Sequence, residues 1–285
     1  MRRWLKGLVV GICVAILGIG LGLSPLGVGL EQGVGIAWLF DVRGPIEPPQ
    51  EVVVVAIDGR TGENLGLPPL PRDWPRSTHA RLVDELVARG ASTIVFDIHF
   101  GRQKEPEDDQ LFVEAVERSG RVVLVELLTG KRQPISDLQG RHVGMVWAEE
   151  LVPPFPGLAE SAAGLATFPL PKEGASVHQF WVFKESTDNA PTLPAVALQL
   201  YAREHTAAVL DLARAVAPGE LSDFSSVDQA FSKADELRNF MRALRASYES
   251  APETLGDVES TSPAEPPILP EQALEGLYAG EANRF

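Results

Sequence analysis

Two aspartates, an arginine and a histidine are the residues whose types and spacing could do chemistry in this chain. Asp58 ends a β-branched run at residues 52–57, and Asp97 ends a second such run. Arg76 and His79 lie between them, at the start of a predicted helix. Two neighbouring carboxylates repel each other unless a cation intervenes, and an arginine can pair with one of them in bidentate geometry. The four residues are therefore the candidate binding site for a small polar molecule or a cation.

The same four residues also have a purely structural interpretation. Arg76 could fix the loop at residues 65–75 onto the body of the protein, with no ligand bound. A histidine such as His79, taken alone, is more often a partly exposed residue near a helix start than a ligand. The sequence leaves both interpretations open.

The elements that must position these residues alternate along the chain. Three β-branched runs, at residues 52–58, 91–97 and 121–126, are separated by two segments with apolar residues at helical spacing, about 77–90 and 107–120. That alternation predicts βαβ units and a parallel sheet. Polar groups at the carboxyl ends of such strands converge on one edge, where α/β proteins bind ligands. The predicted fold class is α/β, a parallel or mixed sheet with flanking helices.

Beyond residue 130 the pattern weakens. Strands are predicted at 142–147 and 177–183, with a turn at 172–174 between them, and helices at 194–205 and 227–248. Residues 249–281 then contain eight acidic residues, no basic residue and five prolines. Such a segment cannot bury enough apolar surface to offset its ordering entropy, so we expect a linker or an insertion.

The N-terminus has the pattern of a membrane anchor. Arg2, Arg3 and Lys6 precede the uncharged residues 7–30. About 20 apolar residues span a bilayer as a helix, and basic residues before the span favour a cytoplasmic N-terminus. A cleaved signal peptide is the alternative, although its apolar core is usually shorter. We expect a transmembrane helix at 7–30, preceded by a cytoplasmic start at 1–6.

Composition restricts the possible functions. The net charge of −14 argues against a nucleic-acid partner. Cys13 is the only cysteine, so a disulfide within the chain and a thiolate zinc site are both excluded. Residues 57–61 faintly resemble the aspartate loop of haloacid dehalogenase-type phosphatases, but Arg60 stands where that chemistry needs a second acid. We therefore expect no catalytic residue, no metal and no cofactor, with a phosphatase-like hydrolase using Asp58 as a weaker alternative.

Several motifs together resemble the second type of CHASE domain, an extracytoplasmic sensor of bacterial cyclases and kinases. They are Asp-Val-Arg-Gly-Pro at 41–45, Val-Val-Ala-Ile-Asp at 54–58, Trp-Pro-Arg-Ser-Thr-His-Ala-Arg-Leu at 74–82 and Phe-Asp-Ile-His-Phe at 96–100. The family's later hairpin usually has an acid and a glycine followed by an arginine. Here Glu173-Gly174 is present, without an arginine before Phe183.

The resemblance implies a sensory domain at residues 31–205, a helical extension at 206–248 and an acidic, proline-rich linker or insertion at 249–285. It implies a single-pass plasma-membrane protein in this chain, with the folded part extracytoplasmic. The partners would be the membrane, an unknown small-molecule or protein signal, and a second copy if the chain forms a homodimer. The family usually continues into further membrane spans and a cyclase or kinase, so we expect an N-terminal fragment of a longer receptor. A membrane-tethered sensor with a separate partner, or a protein-interaction module, is the alternative.

Overall fold

The computed structural model describes residues 2–136, 139–171, 177, 179–216 and 219–250. Contacts divide the chain into two units, one of Met1–Ala56 with Leu170–Phe180 and one of Ile57–Pro169 with Trp181–Phe285. The helices of the described part are α1 (Arg2–Gly22), α2 (Pro25–Leu30), α3 (Ile36–Arg43), α4 (Gly59–Leu65), α5 (Arg76–Ala88), α6 (Pro106–Ser119), α7 (Pro156–Ser161), α8 (Leu193–Tyr201), α9 (Thr206–Val216), α10 (Val227–Ala230) and α11 (Ala234–Ser250). Its strands are β1 (Ile94–Phe96), β2 (Val122–Ser136), β3 (His142–Val152), β4 (Gly164–Thr167), β5 (Phe183–Lys184) and β6 (Ala190–Pro191).

The first unit begins with helices that break where the sequence supplies a cap. The Ser24 side chain accepts a hydrogen bond from the Gly27 N–H and so caps α2, which begins at Pro25. The predicted span at 7–30 is therefore not one continuous helix. Among the described residues no single helix is long and apolar enough to cross a membrane. Lys6–Gly22 and Pro25–Arg43 together have the length and composition of a span, but they are bent by 68° at the break between them.

The second unit contains a mixed sheet with β2 at its centre. The first half of β2 pairs in parallel with β1 on one side and β4 on the other. Its second half leaves these neighbours and pairs antiparallel with β3 as a long hairpin. The α/β class with a mixed sheet is thus confirmed.

Helices cover both faces of the parallel part, because successive residues of β2 point to opposite faces. Leu124 packs with Phe112 and the helices α5, α6 and α7, whereas Val123 packs with Val196 and the helices α8, α9 and α11. Residues on both sides of the predicted boundary at 205/206 share this second core.

Several predicted elements are confirmed and others are wrong. The two helices of the βαβ pattern form as α5 and α6, and Gly120 ends α6 in the left-handed conformation. The helix predicted at 227–248 is divided into α10 and α11. In the predicted strand at 177–183, only Phe183 is in a strand among the described residues. The turn at 172–174 with Glu173-Gly174, and nearly all of the acidic segment, lie outside the described residues.

The first predicted strand is also wrong. Residues 52–57 form no strand, and Val52, Val53 and Val54 are 63%, 78% and 86% exposed. A β-branched run gains its stability from pairing and from packing on a pleated surface, and neither is present around this run in the described residues.

Candidate functional site

A buried ion pair joins the starts of α5 and α6. Arg76 is the first residue of α5, which begins one residue before the predicted start at about 77. Its Nε lies 3.7 Å from Oδ1 of Asp109, and the two side chains are only 7% and 5% exposed. The guanidinium also lies over the Phe100 ring, 4.5 Å from the centroid. Its charge is thus balanced by one carboxylate and one aromatic face away from bulk water.

Lys104 ties the segment after β1 to α6 and to the loop before α5. Its backbone N–H donates to Oδ2 of Asp109 at 2.6 Å, and its ammonium group donates to the carbonyls of Trp74, at 3.1 Å, and Arg72. Partial burial, followed by repulsion from Arg76, lowers the pKa of the Lys104 ammonium. The segment between β1 and α6 is therefore held at Lys104 by charge-assisted contacts of its backbone N–H and its ammonium group. We call Arg76, Lys104 and Asp109 the Arg76 cluster.

His79 lies one helical turn after Arg76 and is only 2% exposed. Four rings surround it at centroid distances of 5.2 to 6.2 Å, those of Trp74, Phe96, Phe100 and Phe112. Neither ring nitrogen has a hydrogen-bond partner in the described part of the chain.

This environment keeps His79 uncharged. Burial, followed by repulsion from Arg76, lowers its pKa from 6.5 to about 4, against an opposing effect of the Pro75 carbonyl, which does not reach hydrogen-bond geometry. The unfolded chain binds this proton more readily than the folded chain does. The contribution of His79 to stability is therefore complete above pH 6.5 and is lost as the pH falls towards 4.

The structure brings together only two of the four predicted site residues. Arg76 and His79 share this region, but the pairing predicted between Arg76 and Asp58 or Asp97 is wrong, because the buried partner is Asp109. Asp97 is exposed and follows β1 directly. Its ligand-binding role, like that of the other three residues, stays a prediction.

Asp58 has a local structural role. It is the N-cap of α4 and accepts the Thr61 N–H at 2.9 Å, while the Thr61 hydroxyl accepts the Asp58 N–H at 3.2 Å. Hydrogen bonds from the Thr61 side chain and backbone lower the pKa of this exposed carboxyl. Asp58 follows no strand, since residues 52–57 form none.

A second ion pair occupies the carboxyl edge of the parallel sheet. Glu126 ends the parallel part of β2, opposite Thr167 of β4, and is 4% exposed. Its carboxylate pairs with Arg238 of α11, which also donates to the Leu165 carbonyl at 3.2 Å. One turn later Arg242 lies 3.4 Å from a carboxylate oxygen of Asp188. The edge expected to bind ligands thus contains a carboxylate neutralised by α11.

Sequence reasoning missed Asp109, Glu126 and Arg238. The sequence could have identified Asp109 as a buried acid, because it lies three and seven residues before Phe112 and Val116. It is therefore on the buried stripe of α6. Glu126 ends an otherwise apolar run, which indicates a buried charge, but 112 residues separate it from its partner. No local pattern identifies that partner.

The arrangement of these side chains is suited to recognising a ligand and to supporting the strand ends. Within the described residues no group of three or more His, Cys, Asp or Glu side chains could hold a metal ion. Arg76 pairs with Asp109 and Glu126 pairs with Arg238, and these contacts hold the segment after β1 and the end of the parallel part of β2. Fold and site together define a mixed α/β domain with an ion-paired sheet edge.

The family model described as CHASE2 domain matches residues 11–266. This match covers most of the chain, so the chain belongs to the CHASE2 family, a family of sensory domains of receptors. It confirms the resemblance and extends it beyond the stretch that carried the motifs, into α9, α10 and α11. No curated protein and no solved structure matches the chain.

Proposed function

We propose that this chain is the extracytoplasmic sensory part of a membrane-anchored receptor, which passes an external signal to a cytoplasmic cyclase or kinase outside this chain. The family match carries the proposal, because it begins at residue 11, inside α1, and continues through the α/β unit. The apolar helix and the sensory unit thus fall within one family match.

The surface of α1 supports membrane anchoring. Ile16, Leu17 and Ile19 point in different directions around the helix and are 65%, 75% and 63% exposed. A helix that is apolar on all sides is normally buried in a protein core or in a bilayer. Basic residues before α1 favour a cytoplasmic N-terminus and therefore an extracytoplasmic α/β unit.

Cysteine accessibility tests this topology. In a Cys13→Ala background, Lys6→Cys reports the start of the chain and Arg89→Cys reports the α/β unit, where the side chain is exposed. We expect a membrane-impermeant maleimide to label Arg89→Cys in intact spheroplasts, and Lys6→Cys only after permeabilisation. Labelling of Arg89→Cys only after permeabilisation refutes the proposed topology.

We propose that the ligand-responsive region comprises Asp58, Arg76, His79 and Asp97, with Asp97 as its accessible carboxylate. Phe96, the residue before Asp97, packs on the His79 ring with centroids 6.2 Å apart. A cation or a hydrogen-bond donor at Asp97 would therefore act on the backbone next to Phe96, which packs against the buried His79 ring. Such a ligand would favour one of two arrangements of the domain.

A charge reversal tests this region in the full-length receptor. We expect Asp97→Arg to abolish the signalling response without loss of membrane insertion. Glu117→Arg, an exposed acid near the other end of α6, is the matched control and should leave the response unchanged. An unchanged response in Asp97→Arg contradicts a functional role for this edge.

Two other functions are less well supported. An interaction module that docks a partner through residues 227–248 would need a free apolar face there, but Leu237, Phe240 and Met241 are buried in the core. A hydrolase would need Asp58 as nucleophile, whereas its carboxylate caps α4. We expect the protein to show no phosphatase activity that is lost in the Asp58→Asn variant.

A further inference from the structure

The imidazole of His79 is enclosed by aromatic rings and has no acceptor for a second proton. We call the rings around it the aromatic shell, which consists of Trp74, Phe96, Phe100 and Phe112. Both ring nitrogens are buried without a hydrogen-bond partner in the described part of the chain. An imidazolium donates from both nitrogens, and the rings of the shell offer no hydrogen-bond acceptor. A proton on His79 would therefore create a buried charge that is not hydrogen-bonded.

The charges around His79 add to this cost. Arg76 already lies over the Phe100 ring, whose centroid is 5.2 Å from that of His79. The Arg76 guanidinium and the Lys104 ammonium both repel a proton at His79. The charged groups on the elements packed around the ring are Arg76 of α5, Asp73 in the loop before it, Asp97 and Lys104 after β1, and Asp109 of α6. Asp109 is the buried acid among them and already pairs with Arg76, so it is not free to neutralise an imidazolium.

The aromatic shell belongs to one of two cores, which lie on opposite faces of the sheet. Phe96, Phe100 and Phe112 pack in the core of α5, α6 and α7. In the described residues the core of α8, α9 and α11 contains none of the shell. Loss of packing around His79 therefore acts directly on the first core only. Proteins open locally in such cooperative units at a lower free energy than global unfolding requires.

We propose that His79 is an acid-operated switch: uptake of a proton from water expels its ring from the aromatic shell and loosens the Arg76 cluster, while the core of α8, α9 and α11 stays folded. The inference rests on the ligand-responsive region under Proposed function, since it adds acid to the signals that reach this region. Trp74, Phe96 and Phe100 lose a packing partner in the acid state. The start of α5 and the segment after β1 therefore loosen first.

Hydrogen exchange of the full chain in detergent micelles, followed by mass spectrometry, tests the switch at pH 7 and pH 5. Each rate is divided by the intrinsic exchange rate at the same pH. The pKa of His79 is about 4 when it is buried and 6.5 when it is exposed, so the population of the open state should rise about 20-fold between the two conditions. We expect this rise in residues 76–88 and 98–105, and no comparable rise in α8 and α11.

Variants separate His79 from the carboxylates that also bind protons in acid. His79→Leu and His79→Phe keep an apolar side chain inside the shell and should show no rise in either segment. His142→Leu, at an exposed position, should behave as the wild type does. A rise that persists in both variants at position 79 overturns the switch. Equal rises in both cores of the wild type, or no rise at all, overturn it without reference to any variant.

The full-length receptor separates this failure from a failure of the proposed function. Its output should change between external pH 7 and pH 5 in the wild type, but not in His79→Leu. Loosening of the Arg76 cluster without a change in output overturns acid as a signal, and with it the sensory role of His79. Absence of the loosening overturns the switch alone and leaves the predicted effect of Asp97→Arg standing.

Discussion

Removing Asp109 should destabilise the second unit by several kcal/mol. Asp109→Ala leaves the Arg76 guanidinium buried, with only the Phe100 ring and a 3.4 Å contact to the Arg102 carbonyl to compensate it. At 3.7 Å and an effective dielectric constant of about 20, the lost attraction is about 4 kcal/mol. Losing one partner of a buried pair typically costs about 3–5 kcal/mol, so we expect a decrease of about 4 kcal/mol in the free energy of unfolding.

The chain offers a matched control between the same two helices. Asp84 of α5 and Arg118 of α6 are closer, at 2.7 Å, but their side chains are 54% and 60% exposed. Solvent screens such a pair, so Asp84→Ala should cost less than about 1 kcal/mol. The comparison separates the effect of burial from that of distance.

Urea unfolding of the full chain in detergent micelles, followed by tryptophan fluorescence, measures both variants. Trp74 reports the cluster directly, because its ring lies 6.2 Å from His79. A third variant, Arg76→Met with Asp109→Leu, removes both charges and should recover most of the stability. If Asp109→Ala costs no more than Asp84→Ala, the pair does not stabilise the helix starts and the reasoning is wrong.

Three further predictions use the same unfolding measurement. His79→Leu should abolish the loss of stability between pH 6.5 and 4, which amounts to about 3 kcal/mol, because the folded protein no longer excludes a proton there. Arg238→Met should cost about 3 kcal/mol, since Glu126 stays buried without its partner. Gly164→Ala should cost about 1–3 kcal/mol, because the new Cβ would lie 2.6 Å from Cγ1 of Val196.

Each of these predictions has a control within the chain. His142 is exposed, so His142→Leu should leave the pH dependence unchanged. Arg203 pairs with Asp228, which is 92% exposed, and Arg203→Met should cost little. Gly144→Ala is the control for Gly164→Ala and should cost little, because a Cβ on Gly144 meets nothing within 4 Å. A control that costs as much as its test variant would refute the corresponding explanation.

The elements that the sequence predicts correctly are those with a local cause. The apolar spacing of α5 and α6, and the left-handed cap at Gly120, depend on residues within a few positions of each other. The partner of Arg76 has such a cause only in part. The apolar stripe with Phe112 and Val116 indicates which of the three acids at the start of α6 turns inwards, but only the packing of α5 on α6 brings Arg76 to Asp109.

Residues 52–57 have a local preference for a strand that the fold does not realise. Their composition favours a strand, yet strand propensity is realised only through a paired neighbour. In the described residues β1 obtains its neighbour from β2, which follows it in the chain, and the earlier run stays exposed. The predicted convergence of Asp58 and Asp97 depended on that missing strand. The edge that was expected to hold two aspartates contains Asp97 without Asp58, together with Glu126, which is neutralised by Arg238.

Both ion pairs restrict how a signal at this edge could be transmitted. The segment after β1 is held to α6 through the Lys104 N–H on Asp109 and to α5 through Arg76, which donates to the Arg102 carbonyl. The end of the parallel part of β2 is held to α11 through the buried pair of Glu126 and Arg238, whose separation costs several kcal/mol. A ligand at Asp97 would therefore shift the helices together with the strand ends. We therefore expect a ligand response by movement of packed elements rather than by closure of a lid.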